Sequence, residues 1–578
     1  MTRLFNDPAL FADEMTEGFA AAADRWVQAV PGGVIRATEF EEPTVALVIG
    51  GGSGHYPAFG GLVGIGLAHG AAMGNLFASP SAHQIEQIAA SVDRGLGVLF
   101  SYGNYAGDVL HFDQAQRRLR DAGIDVRTVA VTDDIWSAPR GERHKRRGIA
   151  GDLAVFKVAG AAAEAGWSLD EVERAARKAN DRTRSFGVAF TGCTLPGATE
   201  PLFTVPEGRM AVGLGIHGEP GIDETDIPTA DELAELFVST LLGEIPDGAS
   251  LEGARVVPLV NGLGSVKYEE LFVVYRRVHQ LLSEQGITVV EPEVGELCTS
   301  FDMAGVSLTL IWLDEELESL WSAPADAHGF RKGAVGVRRR AAIVKPAAEA
   351  VDPISPSGEA SRVAARRIAA ALAAASGSID EAAEELGRID RIAGDGDHGI
   401  GMQRGCRAAA EAASAASRAG AGAETTLRRA ADAWSDRAGG TSGAIWGEML
   451  RALGARLGDV RAVDAATLSD GIGSARSAVM AFGKAKVGDK TMVDAIVPFA
   501  EELARRIALG EPLARAAHGA TDAAERAAEA TADLVAGLGR ARSHGEKSLG
   551  TPDPGAVSFA LICRTALRHL TAEEGAHI

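Results

Sequence analysis

Three aspartates crowd one short stretch, "IDRIAGDGDHGIGM", from Ile389 to Met402. Asp390, Asp395 and Asp397 fall within eight positions, with glycines at 394, 396, 399 and 401. Carboxylate oxygens are hard ligands, and three of them on one turn suit Mg²⁺. Glycine lets the backbone double back so that the carboxylates converge. Without a cation they would repel one another, and no nearby run of Lys or Arg compensates. A single D-G-D turn is common, so its companions matter. "AGGTSGAIWG" sets Thr441 and Ser442 just ahead of a helical stretch, where backbone N–H groups can hold an anion. "GKAKVGDKTMVDA" adds Gly483 and Met492, and "GRARSHGEKSLGTPDPGA" adds Arg540, Asp553, Pro554 and Gly555. No G-x-x-x-x-G-K-[ST] sequence occurs, which excludes a P-loop.

A second set of polar groups lies in the first half, on glycine-flanked loops. "GGGSGHYPAFGG" follows the β-forming run "TVALVI" and carries Gly52, Ser53, Gly54, His55 and Tyr56. "YGNYAGDVLHF" carries Gly103 and Asp108, and "GLGIHGEPGI" carries His217. A lone histidine is more often structural or solvated than catalytic. All three loops, however, close apparent strands, and open α/β sheets bind ligands at strand ends.

The elements that must position these residues differ between the two halves. Runs such as "TVALVIG" (44–50), "GVLFSY" (97–102), "VRTVAVTDD" (126–134), "RVVPLVNGLG" (255–264), "ITVVEPEVG" (287–295) and "VSLTLIWLD" (306–314) predict strands. Helical patterns such as "SAHQIEQIAASVDRG" alternate with them, which predicts open parallel or mixed sheets in two lobes, dividing near residue 185. From about Phe330 to about Ala360 the composition is that of a linker. Beyond it, Ala, Arg and Glu at helical spacing predict an all-helical domain, and Ser378 with Glu381 reads as a capping box.

Composition narrows the function classes. The 578 residues are too many for one core, and 46% hydrophobic with 23% charged residues is globular usage. A net charge of −21 argues against a nucleic-acid partner. No stretch is apolar enough to span a bilayer, and the N-terminus lacks the apolar core of a signal peptide. Four scattered cysteines form no metal-spaced pairs, so a cytoplasmic protein is expected.

Taken in order, "GGGSGH", "FASPS", "NYAGDVL", "KRRGIAGD", "GIHGEPG", "GDGDHG", "GGTSG", "GDKTM" and "GTPDPGA" resemble the motifs of the single-chain ATP-dependent dihydroxyacetone kinase family. The resemblance runs over nearly the full length. It implies a two-lobed α/β ketose-binding domain at 1–332, a linker at 333–357 and an all-α helical-barrel ATP-binding domain at 358–578. It implies ATP and Mg²⁺ as cofactors, a small-molecule ketose as substrate, and a homodimer in which the nucleotide domain closes over a ketose domain. On this resemblance His217 attacks the ketone carbonyl and holds the sugar as a hemiaminal, which selects a ketose over a polyol. His55, beside Gly52, Ser53 and Gly54, and Asp108, on the neighbouring loop, hydrogen-bond the sugar and help deprotonate the attacking hydroxyl. The residues Asp390, Asp395 and Asp397 hold two Mg²⁺ ions. The nucleotide pocket is lined by His398, Gly399, Ile400 and Gly401, then Thr441 and Ser442, Gly483 and Met492, and Arg540 with Asp553, Pro554 and Gly555.

Two positions depart from the family pattern. Tyr56 stands where a Glu is usual, and Gly103 where a Lys is usual before "NY". The first change supplies a phenol in place of a charge, and the second frees space. Both, with "GNYAGD" around them, resemble the erythrulose branch of the family, and "MTRLFNDPA" is similar to D-erythrulose kinases. The expected reaction is therefore phosphorylation of D-erythrulose to D-erythrulose 4-phosphate, with dihydroxyacetone or L-erythrulose as the alternative acceptor. A non-enzymatic sugar-binding regulator would have no need of the nucleotide domain. Transfer from a phosphoprotein belongs to relatives with separate subunits.

Overall fold

In the computed structural model the described residues are 2–39, 42–213, 215–216, 223–342, 354, 356–392, 394, 396–538 and 545–571. The chain divides into two compact units, Met1–Pro346 and Ala347–Ile578.

Apolar β-formers build the first unit around two sheets. In the first sheet the strand Ala46–Ser53 lies between Gly70–Leu76 and Val98–Gly103, parallel to both, and Val126–Val131 extends the parallel set. The hairpin Val27–Val30 and Gly33–Arg36 closes the other edge in antiparallel fashion. Every residue of Ala46–Ser53 is buried, as expected for a strand covered on both faces. Side chains alternate between two layers. Val48 and Phe100 join Ile85, Ile88 and Phe112 of the helices Ala82–Val92 and Ala106–Asp121. Leu47, Ile49 and Leu99 join Leu153, Ala154 and Val158 of the helix Gly151–Glu164. Each fully buried Leu or Ile contributes roughly 1.5–3 kcal/mol.

After Ala46–Ser53 the chain goes first to one neighbouring strand and then to the other. That reversal opens a crevice at the carboxyl end of the strand, the usual ligand position in such sheets. The loop that follows Ser53 occupies it.

The second sheet is mixed and begins at Thr183–Ala189, on which the expected division near residue 185 falls. Gly305–Trp312 runs antiparallel between Thr183–Ala189 and Arg255–Gly262. Thr288–Val289 and Glu293–Gly295 add to Arg255–Gly262 in parallel. The strands expected at 44–50, 97–102, 126–134, 255–264, 287–295 and 306–314 are all present. The sequence reading missed the first hairpin, the strands Thr183–Ala189, Arg209–Val212 and Asp223–Asp226, and Gly70–Leu76, the last of which is glycine- and alanine-rich with little β signal.

Among the described residues the second unit holds eight helices and no strand: Glu359–Asp390, His398–Arg418, Ala423–Ala438, Gly440–Leu457, Ala465–Gly483, Val493–Ala508, Leu513–Ala530 and Pro554–Thr571. Each packs on the next, and the last returns to the first, closing a helical barrel. Small side chains allow the close approach, and Trp434 stacks on Trp446 inside the ring, with centroids 4.6 Å apart. The capping box expected at Ser378 does not form. The helix Glu359–Asp390 runs through it, and the Ser378 hydroxyl pairs with that of Thr565 on the last helix at 3.0 Å. A tertiary hydrogen bond replaces the local one. No helix among the described residues is long and apolar enough to cross a membrane.

Candidate active site

Gly52 and Ser53, expected to belong to a sugar-binding loop, end the central strand, and Gly54 turns the chain at a φ of 103°. A Cβ at Gly54 would also come within 2.9 Å of the Phe77 ring, so only glycine serves there. The Ser53 hydroxyl donates to the Gly74 carbonyl at 2.6 Å, which leaves it a strut of the loop. His55 is fully buried, stacked on Phe77 with ring centroids 5.0 Å apart. Its Nδ1 lies 2.8 Å from the carbonyl of Thr299. A carbonyl only accepts, so Nδ1 carries the proton and Nε2 is the acceptor nitrogen of the neutral ring.

Thr299 belongs to the other lobe and clamps the loop three more times. Its N–H donates to the His55 carbonyl at 3.2 Å, and its hydroxyl contacts the carbonyls of Tyr56 at 3.0 Å and Gly54 at 3.3 Å. Asn261, at the end of Arg255–Gly262, in turn holds the strip before Thr299. Its side-chain oxygen accepts from Leu297 and Cys298, and its amide donates to the Cys298 carbonyl. The histidine from one sheet is thus oriented by the other.

Gly103 ends the neighbouring parallel strand, and Asp108 follows in the first turn of the helix Ala106–Asp121, buried. The helix N-terminus favours its negative charge. Tyr56 is the exposed member of the loop, and its hydroxyl is engaged by His328 Nδ1. Its ring also meets Phe19 edge-on. His217, Asp395 and Arg540 lie outside the described residues.

In the helical unit Asp390 ends the first helix and Asp397 precedes the second. The backbone N–H of His398 donates to Asp390 Oδ2 at 3.2 Å, and a Cβ at Gly394 would come within 2.3 Å of Asp390 Oδ1. Burial, then the Asp390 charge, pushes the Asp397 carboxyl up to about 7, with Arg404 opposing. Asp553 caps the last helix, accepting from the Ala556 N–H at 2.7 Å. Burial, with Asp390 and Asp494 nearby, pushes its carboxyl up to about 7 as well. His398 Nε2 lies 3.0 Å from the Ser558 hydroxyl, one turn into that helix, and burial lowers its proton affinity. Pro554 and Gly555 start the same helix, and a Cβ on Gly555 would sit 3.6 Å from that of Met492. Asp390, Asp397, His398, Asp553, Gly555 and Met492 therefore share one neighbourhood.

Gly399, Ile400 and Gly401 form the first turn of His398–Arg418, with Ile400 exposed. Gly401 approaches the Ala438 carbonyl, beside which a new helix starts. Gly439 and Gly440, at φ of 61° and 56°, make that break, and Thr441 and Ser442 lie in the first turn beyond it. Gly483 ends the helix Ala465–Gly483, where a Cβ would meet Ile445 at 3.8 Å. Lys490 of "GDKTM" points elsewhere. Its ammonium donates to the carbonyls of Leu534, Ser548 and Thr551 at 3.0, 2.5 and 2.8 Å, pinning the segment that leads to Asp553.

The donor set fits a hard cation. It is all oxygen and hinged on glycine, and the raised proton affinity of Asp397 is what a nearby positive charge would reverse. Among the described residues no three ligating side chains are grouped tightly enough to hold a metal by themselves. The third carboxylate of the cluster, Asp395, is not one of those residues.

Thr299, Asn261, His328 and Asp152 escaped the sequence reading as site residues. Only Asp152 had a signal, as the last residue of "KRRGIAGD".

The chain matches the Dak1 domain over residues 17–329 and the DAK2 domain over residues 392–568. It is 61% identical over 563 residues to the L-erythrulose kinase of Pectobacterium atrosepticum, which covers 97% of this chain and 95% of that one. It is 53% identical over 570 residues to the D-erythrulose kinase of Mycolicibacterium smegmatis, 98% of each chain. The solved dihydroxyacetone kinase of C. freundii in complex with AMP-PNP and Mg²⁺ is similar at a TM-score of 0.52 and 28% identity, over 98% of this chain and 99% of that one.

Proposed function

We propose, for a chain that belongs to the dihydroxyacetone kinase family and to its erythrulose branch, that it transfers the γ-phosphoryl group of ATP to a terminal hydroxyl of erythrulose. The observation that carries this reading is the pairing, in one chain, of a buried histidine and a buried aspartate at the ends of two adjacent parallel strands with a carboxylate cluster on a helical barrel. A sugar-binding module alone has no use for the second, and a nucleotide-binding module alone has none for the first.

Residues of the first unit hold the acceptor. His55 presents Nε2, because Thr299 fixes the proton on Nδ1. That nitrogen and the Asp108 carboxylate accept hydrogen bonds from sugar hydroxyls, and one of them takes the proton as the hydroxyl oxygen attacks phosphorus. An imidazole nitrogen of His217 bonds to the ketone carbon as the C=O π bond opens, and the proton released by the imidazole N–H ends on the carbonyl oxygen, so only a carbonyl sugar is retained. In the second unit Asp390, Asp395 and Asp397 would hold Mg²⁺, which supplies charge neutralisation at the ATP phosphates. The N–H groups at the starts of His398–Arg418 and Gly440–Leu457 offer further anion contacts. Thr441, Ser442, Met492 and Arg540 belong to the same nucleotide pocket in this reading.

The acceptor is D-erythrulose, phosphorylated on carbon 4, with support for the D form from the N-terminal similarity. Relatives of both hands exist, so the deciding experiment reads both. ADP release is followed with D-erythrulose, L-erythrulose and dihydroxyacetone, and the position of the phosphate is read by NMR. Higher kcat/KM for an erythrulose than for dihydroxyacetone is expected. A clear preference for dihydroxyacetone would defeat the erythrulose reading and leave the family activity.

A further inference from the structure

Beside the sugar loop lies a carboxyl group with nothing to bind. Asp152 sits in the first turn of Gly151–Glu164, 1% exposed, and among the described residues neither carboxyl oxygen has a hydrogen-bond partner. Its neighbour Asp133 is buried to the same degree but fully used. Asp133 accepts from the N–H groups of Ile149 at 3.0 Å and Gly151 at 2.9 Å, and from the Ser185 hydroxyl. The fold therefore satisfies one buried carboxyl completely and leaves the other bare. An unsatisfied buried polar group costs roughly 1–3 kcal/mol, a penalty a ligand can remove.

The position of Asp152 says which ligand. Gly103 and Gly148 stand against its two oxygens: a Cβ on Gly148 would come within 2.7 Å of Oδ1, and one on Gly103 within 3.3 Å of Oδ2. Gly103 is thus the glycine that admits this carboxyl to the end of the Val98–Gly103 strand. Tyr105 packs against Gly103, and its hydroxyl donates to the Gly148 carbonyl at 2.8 Å. Asp108 lies near enough for its charge to act on Asp152, and Asp152 acts likewise on Cys298. Cys298 directly precedes Thr299, whose carbonyl orients His55. The bare carboxyl thereby lies among the same groups that hold the sugar loop. Burial, then Asp133 and Asp108, pushes its proton affinity well above the usual carboxylate range. Tyr56, the other polar newcomer, has its hydroxyl on His328.

We propose that Asp152 is the residue that recognises the extra CH(OH) group by which a four-carbon ketose exceeds dihydroxyacetone. The proposal rests on the erythrulose reading and makes Asp152 and Gly103 one device: the glycine leaves room for the carboxyl, and the carboxyl binds the hydroxyl. A site built around such a hydrogen bond discriminates strongly against a substrate that lacks the group.

The test compares the full-length parent with Asp152→Ala and Asp152→Asn. For each, kcat and KM are measured with erythrulose and with dihydroxyacetone, and melting is followed with and without erythrulose. Asp152→Ala should lower the erythrulose-to-dihydroxyacetone ratio of kcat/KM by about tenfold or more, chiefly through KM for erythrulose. Asp152→Asn, which keeps a donor and an acceptor, should recover part of the ratio. The ligand-free melting temperature should not fall, because no internal hydrogen bond is lost, while the upward shift given by erythrulose should shrink. An equal loss on both substrates, or a lower ligand-free melting temperature with the ratio unmoved, would make Asp152 structural and overturn the proposal. If the parent itself prefers dihydroxyacetone, the erythrulose reading fails first and the proposal falls with it. If the parent prefers erythrulose and the ratio does not move, the proposal alone is wrong.

Discussion

The two units hold their chemical groups in opposite ways. In the helical unit Asp390 and Asp397 are seven positions apart in sequence, at facing helix ends, and burial, then the Asp390 charge, disfavours the charge of Asp397. In the α/β unit His55 is gripped by Thr299, 244 positions away, and packed on Phe77. One is a local cluster of carboxyl groups, while the other is a joint between two lobes whose members also hold the fold together. Site residues in the barrel should therefore be separable from stability, and those in the sugar loop should not.

The sharpest break in that contrast is expected at Asp397. Asp397→Ala should reduce ATP-dependent turnover by about 10³-fold or more, since metal-borne neutralisation of phosphate charge is worth several kcal/mol. Melting of the metal-free protein should be unchanged or raised, because a carboxyl repelled by Asp390 is gone. Near-parental turnover would remove Asp397 from the metal site, and a large drop in melting temperature would erase the contrast.

His55→Ala should strike both properties. Turnover is expected to fall roughly 10²–10⁴-fold from loss of acid–base and positioning roles. Stability should fall by a few kcal/mol, as the Phe77 stack and the Thr299 bond are lost and a cavity opens. Denaturant titration alongside kinetics reads the two together. A variant as stable as the parent would show that the lobes do not depend on this joint.

The smallest effect belongs to Tyr56→Phe, which removes only the hydroxyl on His328. A loss of about 1 kcal/mol in stability is expected, with the erythrulose-to-dihydroxyacetone ratio of kcat/KM changed less than about threefold. A tenfold change in that ratio would return Tyr56 to the sugar and weaken the assignment of Asp152.

How much of each site could be read in advance follows from the same contrast. The placement of the carboxylate cluster, the glycines around it and the helix starts at Thr441 and Pro554 was legible, because carboxylates on one turn lie close in sequence. His55, Asp108 and Gly103 were legible as residues at strand ends. Thr299 and Asn261 were not, because nothing in "CTSFD" or "PLVNG" signals a partner on another sheet. Ser378 misled for a related reason. Its local pattern matches a helix start, yet its hydroxyl pairs with Thr565 from the far end of the domain.

The amino-acid sequence by itself determined the fold class, the change from α/β to all-helical architecture, the loops that carry chemistry and the family. These are written in periodicity, in glycine positions and in short motifs, all of which act over a few residues. Only the tertiary structure decided which nitrogen of His55 is the acceptor, that the Tyr56 phenol rests on His328, and that Asp133 is satisfied while Asp152 is bare. Hydrogen-bond satisfaction and burial depend on partners far apart in the chain, and no spacing along the sequence encodes them.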